Sequence, residues 1–144
     1  MNFDRTIDKF DGEYAFLSNF YDSPIKPFND WILYPTVEHA FQAAKTNDIG
    51  MRKKIASQPT PGKAKSLGRH VDLIPNWRED RIYVMYQCLR AKFEIPDLRA
   101  QLLSTGDAHL IEGNWWGDTY WGVCNGVGSN NLGKLLMKIR EELR

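Results

Sequence analysis

The stretch "GVGSNNLGKLLM", residues 126–137, excludes one large fold class at once. Gly128, Gly133 and Lys134 stand at the spacing of a phosphate-binding P-loop, but Leu135 occupies the place of the magnesium-ligating Ser or Thr. A Walker-type lysine also lies between the first strand and first helix of a parallel sheet, with further strands to follow. Only one helical pattern follows here in a chain of 144 residues, so that sheet is not expected. What remains is a glycine turn that opens a helix. Gly126 and Gly128 permit the turn, Asn130 suits the cap, and amides left free there could hold a phosphate. An ordinary glycine turn accounts for the same residues equally well.

The rest of the chain is patterned for helices. Thr36 is suited to cap an amphipathic helix over 37–45, and residues 49–57 predict a second, more basic one. Thr60-Pro61 opens a third that runs towards Gly68. Asn76 with Glu79 reads as a capping box for the longest helix, about 77–94. Pro96 starts another, which Gly106 stops. The last helix carries Leu132, Leu135, Leu136, Ile139 and Leu143 on one stripe, which is core spacing. "IKPFNDWILY" reads as a β-hairpin turning at Asn29-Asp30, and "AHLIE" and "TYWGVC" as short strands. The expected fold is mainly α and multihelical with a small β-hairpin or sheet element, one compact domain over residues 1–144.

A net charge of +1 gives no bulk field to recruit nucleic acid, so a polyanion would need a local basic pocket. Cys88 and Cys124 lack metal or redox spacing, and no signal peptide is apparent; together these favour a reduced, cytoplasmic setting. No apolar run approaches a membrane span. His39, His70 and His109 lack the spacing of a zinc site, so no metal is expected.

Three polar groupings stand out. On the 37–45 helix, Val37, Ala40, Phe41 and Ala44 form the apolar side, with Glu38, Gln42 and Lys45 together beside it. A carboxylate, an amide and an amine so placed suit glycosyl chemistry; the plainer reading is a solvated face with Glu38 favoured by the helix dipole. On the 77–94 helix, Arg81 and Lys92 project into the apolar sector of Trp77, Val84, Met85, Cys88, Leu89 and Phe93. Each must meet a carboxylate or snorkel to the rim. Finally, "EGNWWGDTYWG" gathers Trp115, Trp116, Tyr120 and Trp121 around Asp118, a pocket wall suited to nucleobases or simply a piece of core.

Read together, "FLSNFY" (16–21), "PTVEHAFQAAK" (35–45), Gly68-Arg69, "NWREDRIYVM" (76–85), "AKF" (91–93), "LLSTGDAHLIE" (102–112), "DTYWG" (118–122) and "GSNNLGKLLMKIR" (128–140) resemble the NADAR, or YbiA-like, N-glycosidases. The blocks occur in family order and cover nearly the whole chain. Val37, Tyr34 and Ile74 depart from the residues usual at their positions. The resemblance implies cleavage of a ribosyl C1–N bond without a metal or other cofactor. The implied substrates are ADP-ribose on guanine in DNA or RNA, or phosphorylated ribosylamino intermediates of riboflavin biosynthesis. It implies catalytic roles for Glu38, Lys45 and Asp118. It also implies substrate contacts from Asn19, Phe20, Gln42, Arg69, Trp77, Arg81, Glu112, Trp121, Gly122 and Asn130. A non-catalytic module that reads ADP-ribose or a nucleotide is the alternative.

Overall fold

Where the sequence marks a helix start with a hydroxyl, a cap is made in the computed structural model, which describes residues 5–144. The described residues fall into two compact units, one of Asn19–Lys92 and one of the chain up to Ser18 with Phe93–Arg144. Among them, no helix is long and apolar enough to cross a membrane.

In the first unit α1 is Val37–Ala43, α2 Ile49–Ala56, α3 Pro61–Gly68 and α4 Trp77–Phe93, whose last residue falls to the other unit. Thr36 Oγ1 accepts from the His39 amide at 3.1 Å, Asp48 Oδ1 from Met51 at 3.2 Å, and Thr60 Oγ1 from Lys63 at 3.1 Å. Each bond satisfies one of the amides a helix start leaves without an intrahelical partner. α1 packs on both α2 and α3, and every one of its residues is buried. α4 turns Trp77, Met85, Cys88 and Leu89 inward, as its apolar sector predicts.

Three expectations are corrected in this unit. α1 stops at Ala43, so Lys45 lies beyond the helix instead of on its third turn. Asn76 is left-handed, φ 63°, where a capping-box residue is extended; its backbone carbonyl accepts from Glu79 at 3.0 Å and Asp80 at 2.9 Å. The hairpin reduces to one antiparallel bridge, Ile25 to Tyr34, closing the loop 26–33. A two-residue turn needs both arms free to pair. Here Asp30 folds inward instead and takes the Ile32 amide at 3.0 Å and the Tyr34 hydroxyl at 2.6 Å.

The second unit holds β1 (Thr6–Ile7), a 3-10 helix (Gly12–Leu17), α5 (Pro96–Ser104), β2 (His109–Leu110), β3 (Gly113–Asn114), β4 (Val123–Cys124) and α6 (Asn131–Leu143). β1 pairs parallel with β2, Thr6 opposite His109, and β3 parallel with β4, Gly113 opposite Val123. α6 buries its expected stripe against β2 and α5. It also buries Arg140, whose Nη1 donates to Thr105 Oγ1 at 2.9 Å.

The anion-binding reading of the glycine turn is overturned here. The amides of Ser129, Asn130, Asn131 and Leu132 donate to the carbonyls of Thr119, Gly122, Tyr120 and Trp121 at 2.8–3.2 Å. Those four donors are spent on the preceding loop and are closed to a phosphate. Asn130 is left-handed at φ 53° and makes no side-chain cap. Its amide group instead accepts from the Glu112 amide at 3.0 Å and donates to the Leu110 carbonyl at 2.9 Å.

Candidate active site

Glu38 is positioned by the start of α1. Its own amide donates to the Asn19 carbonyl at 3.1 Å, and the Thr36 cap satisfies the next amide. The helix therefore begins with its exposed donors occupied, and Glu38 and Gln42 follow one turn apart. Gln42 Nε2 donates to Glu38 Oε1 at 3.0 Å. The two side chains are 7% and 4% exposed, which excludes the solvated-face reading for both.

Lys45, half-buried just past α1, answers to the same charges. Burial pushes its amine below the ordinary lysine value; the Glu38 carboxylate pulls it back up, and Lys65 and Arg69 push it further down. Its backbone carbonyl accepts from the Ile74 amide at 2.8 Å, which holds the residue in place once the helix has ended. The neighbouring Cys88 thiol is pushed well above its usual range, by burial and then by the Glu38 charge, so it is no nucleophile.

Two buried acceptors in this unit, Asn19 Oδ1 and Gln42 Oε1, have no hydrogen-bond donor among the described residues. Gln42 Oε1 lies where a side chain at Gly68 would project, so α3 can approach α1 only with glycine at that position. Gly68→Ala should therefore displace Gln42, lower stability by about 1–3 kcal/mol, and slow turnover through Glu38. Gly62→Ala on the same helix meets only ordinary contact and should be near neutral. Thermal unfolding and rate measurements on the pair check this.

Among the other expected residues of this unit, Trp77 is nearly buried, its ring 5.1 Å from Phe41, and backs α1 as a wall. Phe20 and Arg69 are exposed, and Arg81 is half-buried on α4. Lys92 does not snorkel: it is fully buried, its nitrogen 5.7 Å from the Tyr21 ring centroid, and burial lowers its pKa to about 7.

Glu112, Asp118, Trp121, Gly122 and Asn130 belong to the other unit and form their own set. Asn114, which the sequence reading passed over, is its hub. Its Nδ2 donates to Glu112 Oε2 at 3.1 Å and to the Asp118 carbonyl at 2.9 Å, while its Oδ1 accepts from the Asp118 amide at 3.0 Å. Asp118 Oδ1 accepts from the Tyr120 and Trp121 amides at 3.1 and 2.9 Å, bending the aromatic loop. A side chain at Gly122 would overlap the Glu112 carboxylate, so glycine there is a condition of the arrangement. Trp121 is half-buried edge-on to Tyr120, centroids 4.9 Å apart; Trp115 and Trp116 stay exposed. An Asn inside a Gly-rich aromatic turn was the available signal for Asn114. Among the described residues, no group of His, Cys, Asp or Glu is arranged to hold a metal ion.

The NADAR domain family model matches residues 7–144, running through both units. The chain belongs to the NADAR family. It is 43% identical to N-glycosidase YbiA of Shigella boydii, over 99% of this chain and 88% of that one. It is 38% identical to an N-glycosidase of Nostoc punctiforme over 77% of this chain and 75% of the relative. A riboflavin biosynthesis protein of Vibrio vulnificus is 35% identical over 93% of this chain but 37% of its own length. The NMR structure of Escherichia coli YbiA matches with a TM-score of 0.85 at 41% identity, covering 97% of this chain and 85% of that one. The expected mainly helical NADAR fold is thereby confirmed.

Proposed function

We propose that this chain hydrolyses the bond between ribose C1 and a nitrogen, with Glu38 as its catalytic carboxylate. The N-glycosidase class is that of the family relatives, matched over most of the chain, and a non-catalytic binding module is not favoured. One observation carries the residue assignment: Glu38 is buried and held by Gln42, in the same electrostatic neighbourhood as Lys45.

Breaking a ribosyl C–N bond builds positive charge on the sugar and negative charge on the departing nitrogen. A buried carboxylate stabilises the first or activates the attacking water, and does so more strongly in a low-dielectric setting. Asn19 Oδ1 and Gln42 Oε1 are matched in chemistry to ribose hydroxyl donors. Lys65 and Arg69 suit a phosphate attached to that sugar. In the other unit, Asn114 holds the Glu112 carboxylate and Asp118 holds the Trp121 amide, so that unit's own polar set is fixed by hydrogen bonds.

The leading substrate is ADP-ribose attached to guanine in nucleic acid. Relatedness to a riboflavin biosynthesis protein favours a second, a ribosylaminouracil phosphate. Two free, buried cysteines agree with action in the reducing cytoplasm. Presenting both substrates and following the released base and sugar by mass separates them.

Lys45 gives the reaction a covalent route. Opening the ribose ring turns the C1–N bond into an imine of the departing group. The neutral Lys45 amine adds to C1, the departing nitrogen leaves with a proton, and water hydrolyses the lysine imine to the free aldehyde. Depression of the Lys45 pKa supplies the neutral amine at lower pH than an exposed lysine would. Borohydride added during turnover should fix the sugar on Lys45, increasingly as pH rises, and Lys45→Arg should lose both trapping and rate. Normal turnover by Lys45→Arg would assign the attack to water assisted by Glu38.

A further inference from the structure

Trp31 is the most conspicuous residue that the glycosidase reading leaves unused. It is 92% exposed and left-handed, φ 61°, a conformation that a bulky side chain adopts only against a steric penalty. Strain of this kind persists where the surroundings over-determine it. They do so here. Asp30, the preceding residue, is bound by the Ile32 amide, the Tyr34 hydroxyl and Arg52 Nη1, the last at 3.0 Å. The Asp30 and Arg52 side chains are 3% and 14% exposed. The Arg52 guanidinium also lies 5.5 Å over the Phe28 ring, so both sides of the loop are fastened to α2. The fastened loop presents Trp31 and the half-exposed Leu33 outward, where burial of either would have served stability better.

The segment that carries α2 and α3 has charge of one sign. Residues 49–71, which contain α2 and α3, hold Arg52, Lys53, Lys54, Lys63, Lys65 and Arg69 and not one carboxylate. Six of the 19 cations and none of the 18 acidic residues lie there, so the rest of the chain is net acidic. Lys53 and Lys54, both exposed, directly follow Arg52 on the helix to which the loop is fastened. Lys26 stands exposed at the loop's first position. The near-zero net charge thus conceals a basic segment, joined through Arg52 to the loop that carries an exposed indole.

We propose that the 26–33 loop is a docking platform for single-stranded nucleic acid, stacking an unpaired base on Trp31 and taking adjoining phosphates on Lys26, Lys53 and Lys54. This rests on the nucleic-acid-linked reading of the substrate and adds a contact outside the glycosidase residues. A flat, exposed ring carried on a fastened backbone gives stacking area, and lysines supply point charges to a flexible phosphodiester chain. An exposed indole accepts any base, so the platform binds strands without reading their sequence.

The test uses the full chain and a fluorescein-labelled single-stranded oligodeoxynucleotide of mixed sequence, followed by anisotropy. Wild type should bind it with strong salt dependence, better than the same sequence as duplex. Trp31→Gly removes the ring and relieves the left-handed strain, so it should fold at least as well while binding about tenfold more weakly or worse. Trp31→Tyr should restore part of the affinity. Lys53→Gln with Lys54→Gln should flatten the salt dependence. Cleavage of ADP-ribosylated guanosine, which carries no strand, should be unchanged in all of them. Unaltered strand binding by Trp31→Gly overturns the proposal, as does equal competition by polyglutamate, which would mark a surface for acidic protein. An ADP-ribosylated oligonucleotide separates the two claims. If wild type binds through Trp31 but leaves it intact, the substrate reading falls and the platform stands. If it is turned over equally by wild type and Trp31→Gly, the platform falls and the substrate reading stands.

Discussion

Glu38→Gln should lower the single-turnover rate of C1–N cleavage by about 10²–10⁴-fold, the range general acid–base groups supply. The amide keeps the shape of the side chain and removes its charge. Gln42 Nε2 can still donate to an oxygen in the same place, so α1 retains its internal hydrogen bond. Circular dichroism and substrate affinity should therefore stay near wild type while the chemical step fails. That separation matters because Glu38 is buried, and a variant that merely unfolded would say nothing about catalysis. A near-normal rate would remove Glu38 from the mechanism.

Asp30→Ala should produce a large loss of stability, about 3–5 kcal/mol. The magnitude follows from what is left behind. Arg52, only slightly exposed, loses its carboxylate, and the Tyr34 hydroxyl and Ile32 amide lose their acceptor at the same time. Burial alone would raise the Asp30 pKa, but bonds from Tyr34, Ile32 and Arg52 outweigh it and hold the carboxyl below its ordinary value. Its contribution is accordingly present above the unfolded carboxylate range, near pH 4, and is lost as pH falls through the lower folded value. Urea unfolding of wild type and Asp30→Ala should differ most near neutrality and converge in acid. A constant difference across that range would show that the loop is held by packing and not by the ion.

The helices were legible wherever chemistry at one position decides a start. Thr36 and Thr60-Pro61 needed no knowledge of the rest of the chain, because a cap is a bond within three residues. The stripe on α6 was legible for a similar reason, since period alone fixes which side is buried. The parallel pairs were not, because Thr6 meets His109 across most of the chain and two-residue strands carry no period. Left-handed Trp31 left no trace either, because only tertiary contacts impose that conformation on a bulky residue, whereas Asn76 and Asn130 are of a type that favours it but equally suits a cap. The candidate site shows the same division. Periodicity put Glu38 and Gln42 on one face, but that face is buried by packing that the helix pattern does not carry, with Gly68 of α3 closing on Gln42. Lys45 was placed on the wrong element, because the helical pattern runs on through residues that the chain uses to turn. The glycine turn misled in the opposite sense: its composition suits an anion, yet the carbonyls of 119–122 take its donors.

The central claim is that this chain cleaves a ribosyl C1–N bond and that Glu38 does the chemistry. The most direct measurement incubates purified protein with an oligonucleotide carrying ADP-ribosylated guanine, beside a ribosylaminouracil phosphate, and follows the products by mass. Wild type should release a free nitrogenous base or unmodified strand together with the ribosyl fragment from at least one of them, and Glu38→Gln should release neither. Wild-type protein that binds these compounds tightly yet leaves both C1–N bonds intact would contradict the account and make the chain a reader of ribosylated ligands.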